Sequence, residues 1–352
     1  MSGYPVSAAI AEGDGYTLVE NASLQGRNTF RVPARAAMLI DVRKPAALGE
    51  LFGYAALKSQ PLLVLGEGSN ILFTRDWPGV VLSIVARGIT MLDDDGERAR
   101  IRVEAGENWN DFVRWSLGHG FCGLENLVLI PGTVGAAPIQ NIGAYGVEVR
   151  EFIASVEAWD RHVGRLTRIA NADCAFDYRD SLFKHERDRY VVTAVEFTLS
   201  RRRELYIDYA GIAEELATLG VAEPSAPAVA EAIARIRTRK LPNPALIGNA
   251  GSFFKNPLVD AALADALREQ YPRLPNWPAG DARRKLSAAW LIETCGLKGL
   301  RDGDAAVSTQ HALVLVNHGA ASGAQIRALA ERIRSEVVTR FGVELEPEPL
   351  IV

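Results

Sequence analysis

Leu124-Glu125-Asn126-Leu127-Val128-Leu129-Ile130-Pro131-Gly132-Thr133-Val134-Gly135-Ala136-Ala137-Pro138-Ile139-Gln140-Asn141-Ile142-Gly143-Ala144-Tyr145-Gly146 is the stretch on which the reading of this chain turns. Four glycines and two prolines interrupt an otherwise apolar run with few charges. Proline removes a backbone donor and glycine weakens helices and strands alike, so the segment is neither a regular helix nor a regular strand. Buried irregular backbone must still satisfy its N–H and C=O groups. A bound cofactor with phosphates and a polar ring edge would supply partners; the plainer alternative is a structural loop packed between domains. Long irregular loops in compact domains are usually functional, which favours the cofactor.

Upstream lies a second glycine loop, Gly66-Glu67-Gly68-Ser69-Asn70, directly after the apolar run Pro61-Leu62-Leu63-Val64-Leu65. Glycines there permit positive φ and let backbone N–H groups approach an anion, while Ser69 and Asn70 add side-chain donors. A plain tight turn is the alternative. Neither GxGxxG nor GxxxxGK[ST] occurs in the chain, so a Rossmann nucleotide site and a P-loop are unsupported.

Around these loops, strand and helix signals alternate. The run at 61–65 reads as a strand buried on both faces, and 80–85 as a second. Ile101, Val103 and Ala105 alternate with polar residues. Trp109, Phe112, Val113 and Leu117 follow helical spacing, with Gly118 placed to end that helix. Residues 152–159 and 190–199 are strand-like. The charged seam Arg201-Arg202-Arg203-Glu204 suggests a domain boundary. A helix is expected over 228–239, capped by Ser225. Another carries Ile326, Leu329, Ile333 and Val337 on one face, between Ser322 as cap and Gly342 as stop. A closing strand is expected at 343–346. The first 23 residues read as a loose leader, followed by domains at 24–202 and 203–352. The pattern is that of an α+β protein.

Composition sets the outer limits. With 352 residues, two or three domains of ~100–200 residues are expected. A net charge of −4 argues against a dedicated nucleic-acid binder. No apolar run approaches the ~20 residues of a membrane span. No secretory signal is apparent, and three isolated cysteines do not suggest a disulfide framework, so a cytoplasmic protein is expected. The five histidines lack HxxxH or HxH spacing and no CxxC accompanies them, so no metal site is expected.

GEGSN at 66–70, IPGTVGAAPIQNIGAYG at 130–146, Tyr178-Arg179-Asp180-Ser181, Gly251-Ser252-Phe253-Phe254-Lys255-Asn256-Pro257 and Leu345-Glu346-Pro347-Glu348 occur in that order. Together they resemble the UDP-N-acetylenolpyruvoylglucosamine reductase family, flavoenzymes of peptidoglycan precursor synthesis. The match runs from about Asn28 to Glu348. It implies a two-subdomain FAD-binding fold of the vanillyl-alcohol-oxidase (PCMH) type, non-covalent FAD, and a C-terminal α+β substrate domain. Tyr209 resembles the type I branch, where a tyrosine loop closes over substrate. The cofactor-binding positions implied are Gly66, Glu67, Gly68, Ser69, Asn70, Pro131, Gly132, Gly135, Ala136, Gln140, Gly143 and Val192.

The chemistry implied is NADPH-dependent reduction of UDP-N-acetylglucosamine enolpyruvate, an enol ether bearing a carboxylate. Flavin supplies the hydride, so the protein must stabilise an enolate and deliver a proton. By the resemblance Arg179 grips the carboxylate, suited by a planar fork that keeps its charge; an ordinary pairing with Asp180 is the bland alternative. Glu348 matches the acidic partner at the same carboxylate, and must be protonated or hydrogen-bonded there to relieve repulsion. Ser252 matches the proton donor; a serine hydroxyl needs a relay partner or a strongly basic carbanion beside it. Lys240, Asn256 and Tyr209 match the diphosphate positions, Trp277 and Lys298 the uridine end, and Gln140 reaches the carboxylate. The family often continues past its glutamate with a valine–arginine pair, whereas Pro349-Leu350-Ile351-Val352 follow here, so that arginine's contact is expected to be missing or moved. His311 is left unassigned. A monomer or weak oligomer is expected. An FAD oxidase of the same fold, with tethered cofactor, and a sugar-nucleotide-binding protein without turnover are the competing readings; the presence of Arg179, Ser252 and Glu348 together argues against the latter.

Overall fold

The computed structural model describes residues 11–352. The chain divides into two compact units: 11–22, 36–67 and 78–237 form the first, and 23–35, 68–77 and 238–352 the second. The first unit therefore runs past the charged seam that suggested a boundary near 202. The seam's arginines explain why. Arg201 makes a two-pronged pair with Asp94 (2.7 and 2.8 Å) and lies 4.2 Å from the centre of the Phe121 ring. Arg203 pairs with Glu151 and lies over Phe152. They are anchors of the unit rather than a linker.

Two five-stranded sheets build the first unit. One has the order Ala11–Gly13, Tyr16–Ser23, Arg35–Val42, Trp77–Ile84, Leu62–Val64. Its first two strands occupy the end of the expected leader, residues 1–10 lying outside the described residues. Glycines at 13 and 15 blur the alternation there, while Tyr16 is buried and donates to Glu50 (3.1 Å). Leu62–Val64 is an edge strand, parallel to Trp77–Ile84, and Val64 is 38% exposed, so the expectation of burial on both faces fails. The strand has a neighbour on one side only.

The second sheet runs Arg165–Ala170, Ile153–Asp160, Tyr190–Ser200, Arg98–Glu104, Ile89–Asp94, all antiparallel. The helix Trp109–Gly118 buries Trp109, Phe112 and Val113, with Phe112 4.7 Å from Phe197 between ring centres. Asn108 caps it through Asp111 N–H (3.1 Å). It ends at Gly118 as expected, and Gly120, at φ 80°, takes the left-handed position just beyond.

The second unit has a four-stranded sheet ordered Gly248–Ser252, Val314–Asn317, Ala305–Val307, Arg301–Asp302, and a small sheet of Leu258–Asp260, Arg283–Leu286 and Asn276–Pro278. The helix Gly323–Phe341 has the expected ends, with a reciprocal Ser322–Gln325 cap and Gly342 at φ 65°. No strand forms at 343–346. Leu345 and Glu346 carbonyls are taken instead by Arg334 (2.9 Å) and Lys255 N–H (3.0 Å). The closing strand is Leu350–Ile351, parallel to Ile71–Leu72.

Among the described residues no helix is long and apolar enough to cross a membrane, and no group of three or more His, Cys, Asp or Glu is placed to hold a metal ion.

Candidate active site

In the first unit, helix Trp109–Gly118 moors the start of the glycine-rich segment. Trp109 Nε1 donates to Leu127 O (2.9 Å), and Asn110 Oδ1 accepts from Leu129 N–H (2.8 Å). Beyond, Val134 N–H donates to Glu107 O and Gly135 N–H to Ala105 O, both at 2.9 Å. Protein groups thus satisfy much of the irregular backbone that the sequence suggested a cofactor would satisfy. A Cβ on Gly135 would sit 2.5 Å from Ala105 Cβ, so only glycine permits this approach. Val192, on strand Tyr190–Ser200, is buried, and that strand packs against the Val134–Ala136 turn.

The Gly66-Glu67 end of the first loop belongs to this unit. Glu67 is turned inward: Oε1 accepts from Asn108 Nδ2 (2.9 Å) and Oε2 from Gly132 N–H (3.1 Å). A Cβ on Gly66 would meet Thr133 Oγ1 at 2.9 Å. The N–H groups of Gly66 and Glu67 have no partner among the described residues. Two N–H donors at a strand end, beside a hydroxyl and with the nearby carboxylate already engaged, are a donor set that suits a pyrophosphate. The chain's own groups fit FAD.

Arg179 stands in a tight turn whose ends, Asp177 and Asp180, exchange both N–H···O bonds at 3.1 Å. Its φ of 56° is left-handed, and its Nη2 donates to Gly143 O (2.9 Å). A Cβ on Gly143 would crowd Arg179 Nη1 at 3.2 Å. Asp180, the bland partner, is engaged by His185 Nε2 (2.7 Å). Tyr209 is 46% exposed and meets Tyr145 edge-to-face at 5.2 Å. Gln140 and Ala136 are half-buried and Pro131 is exposed.

In the second unit, Gly68 (φ 66°) would place a Cβ 2.1 Å from Arg27 O, so glycine is obligatory. Asn70 Nδ2 donates to Glu348 O (3.3 Å), and Leu350 N–H donates to Asn70 O (3.0 Å). Glu348 N–H donates to Phe253 O (2.8 Å), which brings Glu348 beside Ser252-Phe253 and residues 68–70. Glu346 forms an ion pair with Lys255 (2.5 Å). Ser252 follows Gly251, at φ 70°, where the register of Gly248–Ser252 against Val314–Asn317 shifts. Such a bulge re-aims a side chain. The Ser252 hydroxyl makes no hydrogen bond to another protein group among the described residues.

Asn256 Oδ1 accepts from Ala288 N–H (3.0 Å). Lys298 pairs with Glu293 (2.5 Å), and Trp277 is 44% exposed on the small sheet. Lys240 ends helix Ala226–Lys240. Burial, then the charges of Lys240 and Lys298, hold the His311 imidazole below its ordinary 6.5. Its Nδ1 accepts from Leu313 N–H (3.2 Å), which assigns the neutral ring's hydrogen to Nε2. Unfolded chain takes up this proton near pH 6.5 and native chain only at lower pH, so stability falls as pH drops below 6.5. His311→Gln is expected to flatten that decline in urea titrations at pH 5–7; an unchanged slope would contradict the assignment.

Three residues escaped the sequence reading. Asn249, buried, donates to Pro242 O (3.1 Å) and Ile247 O (2.9 Å) and accepts from Gly251 N–H (3.0 Å), shaping the bulge under Ser252. Arg237 in the first unit donates to Leu129 O (3.2 Å), has no carboxylate partner among the described residues, and is pushed below the usual arginine range by burial. Its signal was legible: 230, 233 and 237 share a helical face. Asn141 is the third.

Residues 36–170 match the family model described as FAD binding domain, and 243–352 match that described as UDP-N-acetylenolpyruvoylglucosamine reductase, C-terminal domain. The chain is 51% identical to the UDP-N-acetylenolpyruvoylglucosamine reductase of Pseudomonas aeruginosa over 94% of this chain and 98% of that relative. It is 52% identical to the protein of that name from Xanthomonas euvesicatoria, over 96% and 97%. The chain belongs to the UDP-N-acetylenolpyruvoylglucosamine reductase family. The crystal structure of a reductase of this family from Thermus caldophilus superposes with a TM-score of 0.67 at 25% identity, over 96% of this chain and 98% of that one. The fold is accordingly the PCMH-type FAD-binding fold followed by the reductase family's α+β C-terminal domain.

Proposed function

We infer that this chain catalyses the NADPH-dependent reduction of UDP-N-acetylglucosamine enolpyruvate to UDP-N-acetylmuramate, a step of peptidoglycan precursor synthesis. The observation that carries this is 51% identity to a reductase over 94% of the chain. Bound non-covalent FAD relays two electrons from NADPH to the enol ether. Gly66, Glu67, Gly68, Ser69, Asn70, Pro131, Gly132, Gly135, Ala136, Gln140, Gly143 and Val192 are assigned to holding it. The free N–H groups at 66 and 67 support that assignment, with Glu67 bracing the loop rather than touching phosphate.

Arg179 is assigned to the substrate carboxylate, where a fixed positive fork opposes the charge that builds as the double bond is reduced. Ser252 gives its proton to the carbon that bears the carboxylate, and a hydroxyl without a protein partner among the described residues supports this role. Glu348 is its neighbour at the same carboxylate, on backbone fixed at both sides by Phe253 and Asn70. Tyr209, Lys240 and Asn256 take the diphosphate, Trp277 and Lys298 the uridine, and Gln140 the carboxylate. Lys298 must exchange Glu293 for its ligand. Arg237 supplies buried positive charge to an anionic group near 129–145, supported by its lack of a carboxylate partner. Arg237→Met is expected to raise the dissociation constant for FAD about tenfold, as one lost charge-assisted bond implies, read by fluorescence titration; unchanged affinity removes the assignment. We place the enzyme in the cytoplasm as a monomer or weak oligomer.

The whole reading is tested on the purified protein. Flavin bands are expected to bleach with NADPH and return with the enolpyruvyl sugar nucleotide, and acid precipitation is expected to leave the flavin in the supernatant. Failure of the sugar nucleotide to restore colour overturns the reading; a yellow pellet favours the tethered oxidase.

A further inference from the structure

We propose that Asn141 is a positioning residue for Arg179: its side-chain amide ties the glycine loop at 138–143 to the turn at 177–180 and thereby sets where the guanidinium lies. All the groups involved belong to the first unit. Asn141 is wholly buried, with φ 45°, a left-handed conformation that asparagine tolerates better than most residues. Its Nδ2 donates to Glu148 Oε2 (2.9 Å) and to Asp177 O (3.0 Å), and its Oδ1 accepts from Arg150 N–H (3.1 Å).

These bonds close a circuit. Asp177 is the base of the turn that presents Arg179. Arg179 Nη2 donates to Gly143 O, and Gly143 pairs across a two-residue ladder with Glu148, the other partner of Asn141. One buried amide therefore holds both the carbonyl at the foot of the arginine and the residue opposite the arginine's acceptor. Two further ties hold the turn: Ser181 Oγ to Ile139 O, and Lys184 Nζ to Arg179 O, both 2.6 Å. An arginine at φ 56° keeps that backbone only where its surroundings over-determine it. Asparagine suits the hub because it offers two donors and an acceptor on one short arm. Aspartate keeps the acceptor for Arg150 and loses both donors.

The inference rests on the assignment of Arg179 to the substrate carboxylate, and the test separates the two. Asn141→Asp, Arg179→Lys and the double variant are purified with FAD and followed by stopped flow in each half-reaction. Misplacement of a catalytic group by a remote change costs about 10²-fold. Asn141→Asp is expected to lose about that factor in the maximal rate of reoxidation by the enolpyruvyl sugar nucleotide, with bleaching by NADPH within about twofold of wild type. The double variant is expected to be no slower than Arg179→Lys alone, since both losses pass through one guanidinium. Additive losses, or equal slowing of both half-reactions, overturn the role. If Arg179→Lys reoxidises normally, the assignment of Arg179 fails; if it is slow while Asn141→Asp is normal, only the inference fails. Should Asn141→Asp lose its fold or flavin, Asn141→Ser, uncharged and smaller, is read by the same criteria.

Discussion

Ser252→Ala is expected to leave bleaching of the flavin by NADPH at the wild-type rate and to slow its reoxidation by the enolpyruvyl sugar nucleotide about 10²–10⁴-fold, the usual cost of a well-placed proton donor. Among the described residues the hydroxyl engages no other protein group, so its removal breaks no hydrogen bond described there. Gly251 keeps its left-handed turn and the Asn249 amide keeps its bonds, so the bulge survives. Stability should change by no more than ~0.5 kcal/mol, as for a substitution that touches no structural feature. A defect confined to one half-reaction in an intact fold is the signature of lost proton delivery. Solvent deuterium should slow wild-type reoxidation and have less effect on the variant if water has replaced the donor in a slower, differently limited step. Reoxidation at the wild-type rate would remove Ser252 from the mechanism.

Locally encoded features were legible in the chain. The helix Gly323–Phe341 announces itself because its cap, apolar face and stop signal all lie within its own span. Strands Tyr190–Ser200 and Ile153–Asp160 are likewise written in their β-branched residues. What was hidden depends on partners far along the chain. The strand at Tyr16–Ser23 has weak alternation and forms because a neighbouring strand offers it backbone bonds. Leu350–Ile351 was missed in favour of a strand at 343–346 because its partner, Ile71–Leu72, lies 279 residues away in sequence.

The site divides along the same line. Identities came from motif order, while individual roles waited on contacts. Glu67 was read as part of a glycine loop, and its bond with Gly132 N–H emerged with the fold. The motif singled out Glu348, while the pairing of Glu346 with Lys255 emerged only in the fold. Arg237 sits in a run of basic residues, and only its place on the helical face of 230 and 233 hints at the burial found. Asn141 carries no signal beyond its type, since all three partners of its side chain are set by folding.

Arg179→Lys is the sharper of two tests of charge stabilisation, because it keeps the positive charge and removes the fork. In the native turn Arg179 Nη2 donates to Gly143 O. A lysine ammonium has no planar pair of donors, so it cannot serve that carbonyl and grip a carboxylate in two-pronged fashion at once. Removing a donor aimed at developing charge typically costs about 10²–10³-fold, or ~2.7–4 kcal/mol in the barrier. Arg179→Lys is therefore expected to lose about 10²-fold in the reoxidation rate and Arg179→Met about 10³-fold or more. The charge on the carboxylate grows during the reaction, so the loss should fall on kcat more than on KM for the sugar nucleotide; a change in KM alone would mark Arg179 as a binding residue. Neither replacement relieves or worsens the left-handed backbone at 179, since lysine, methionine and arginine pay a similar cost there. Thermal midpoints should thus stay close together while rates diverge. A lysine variant that reoxidises like wild type would overturn the assignment of Arg179 as the fork that grips the carboxylate.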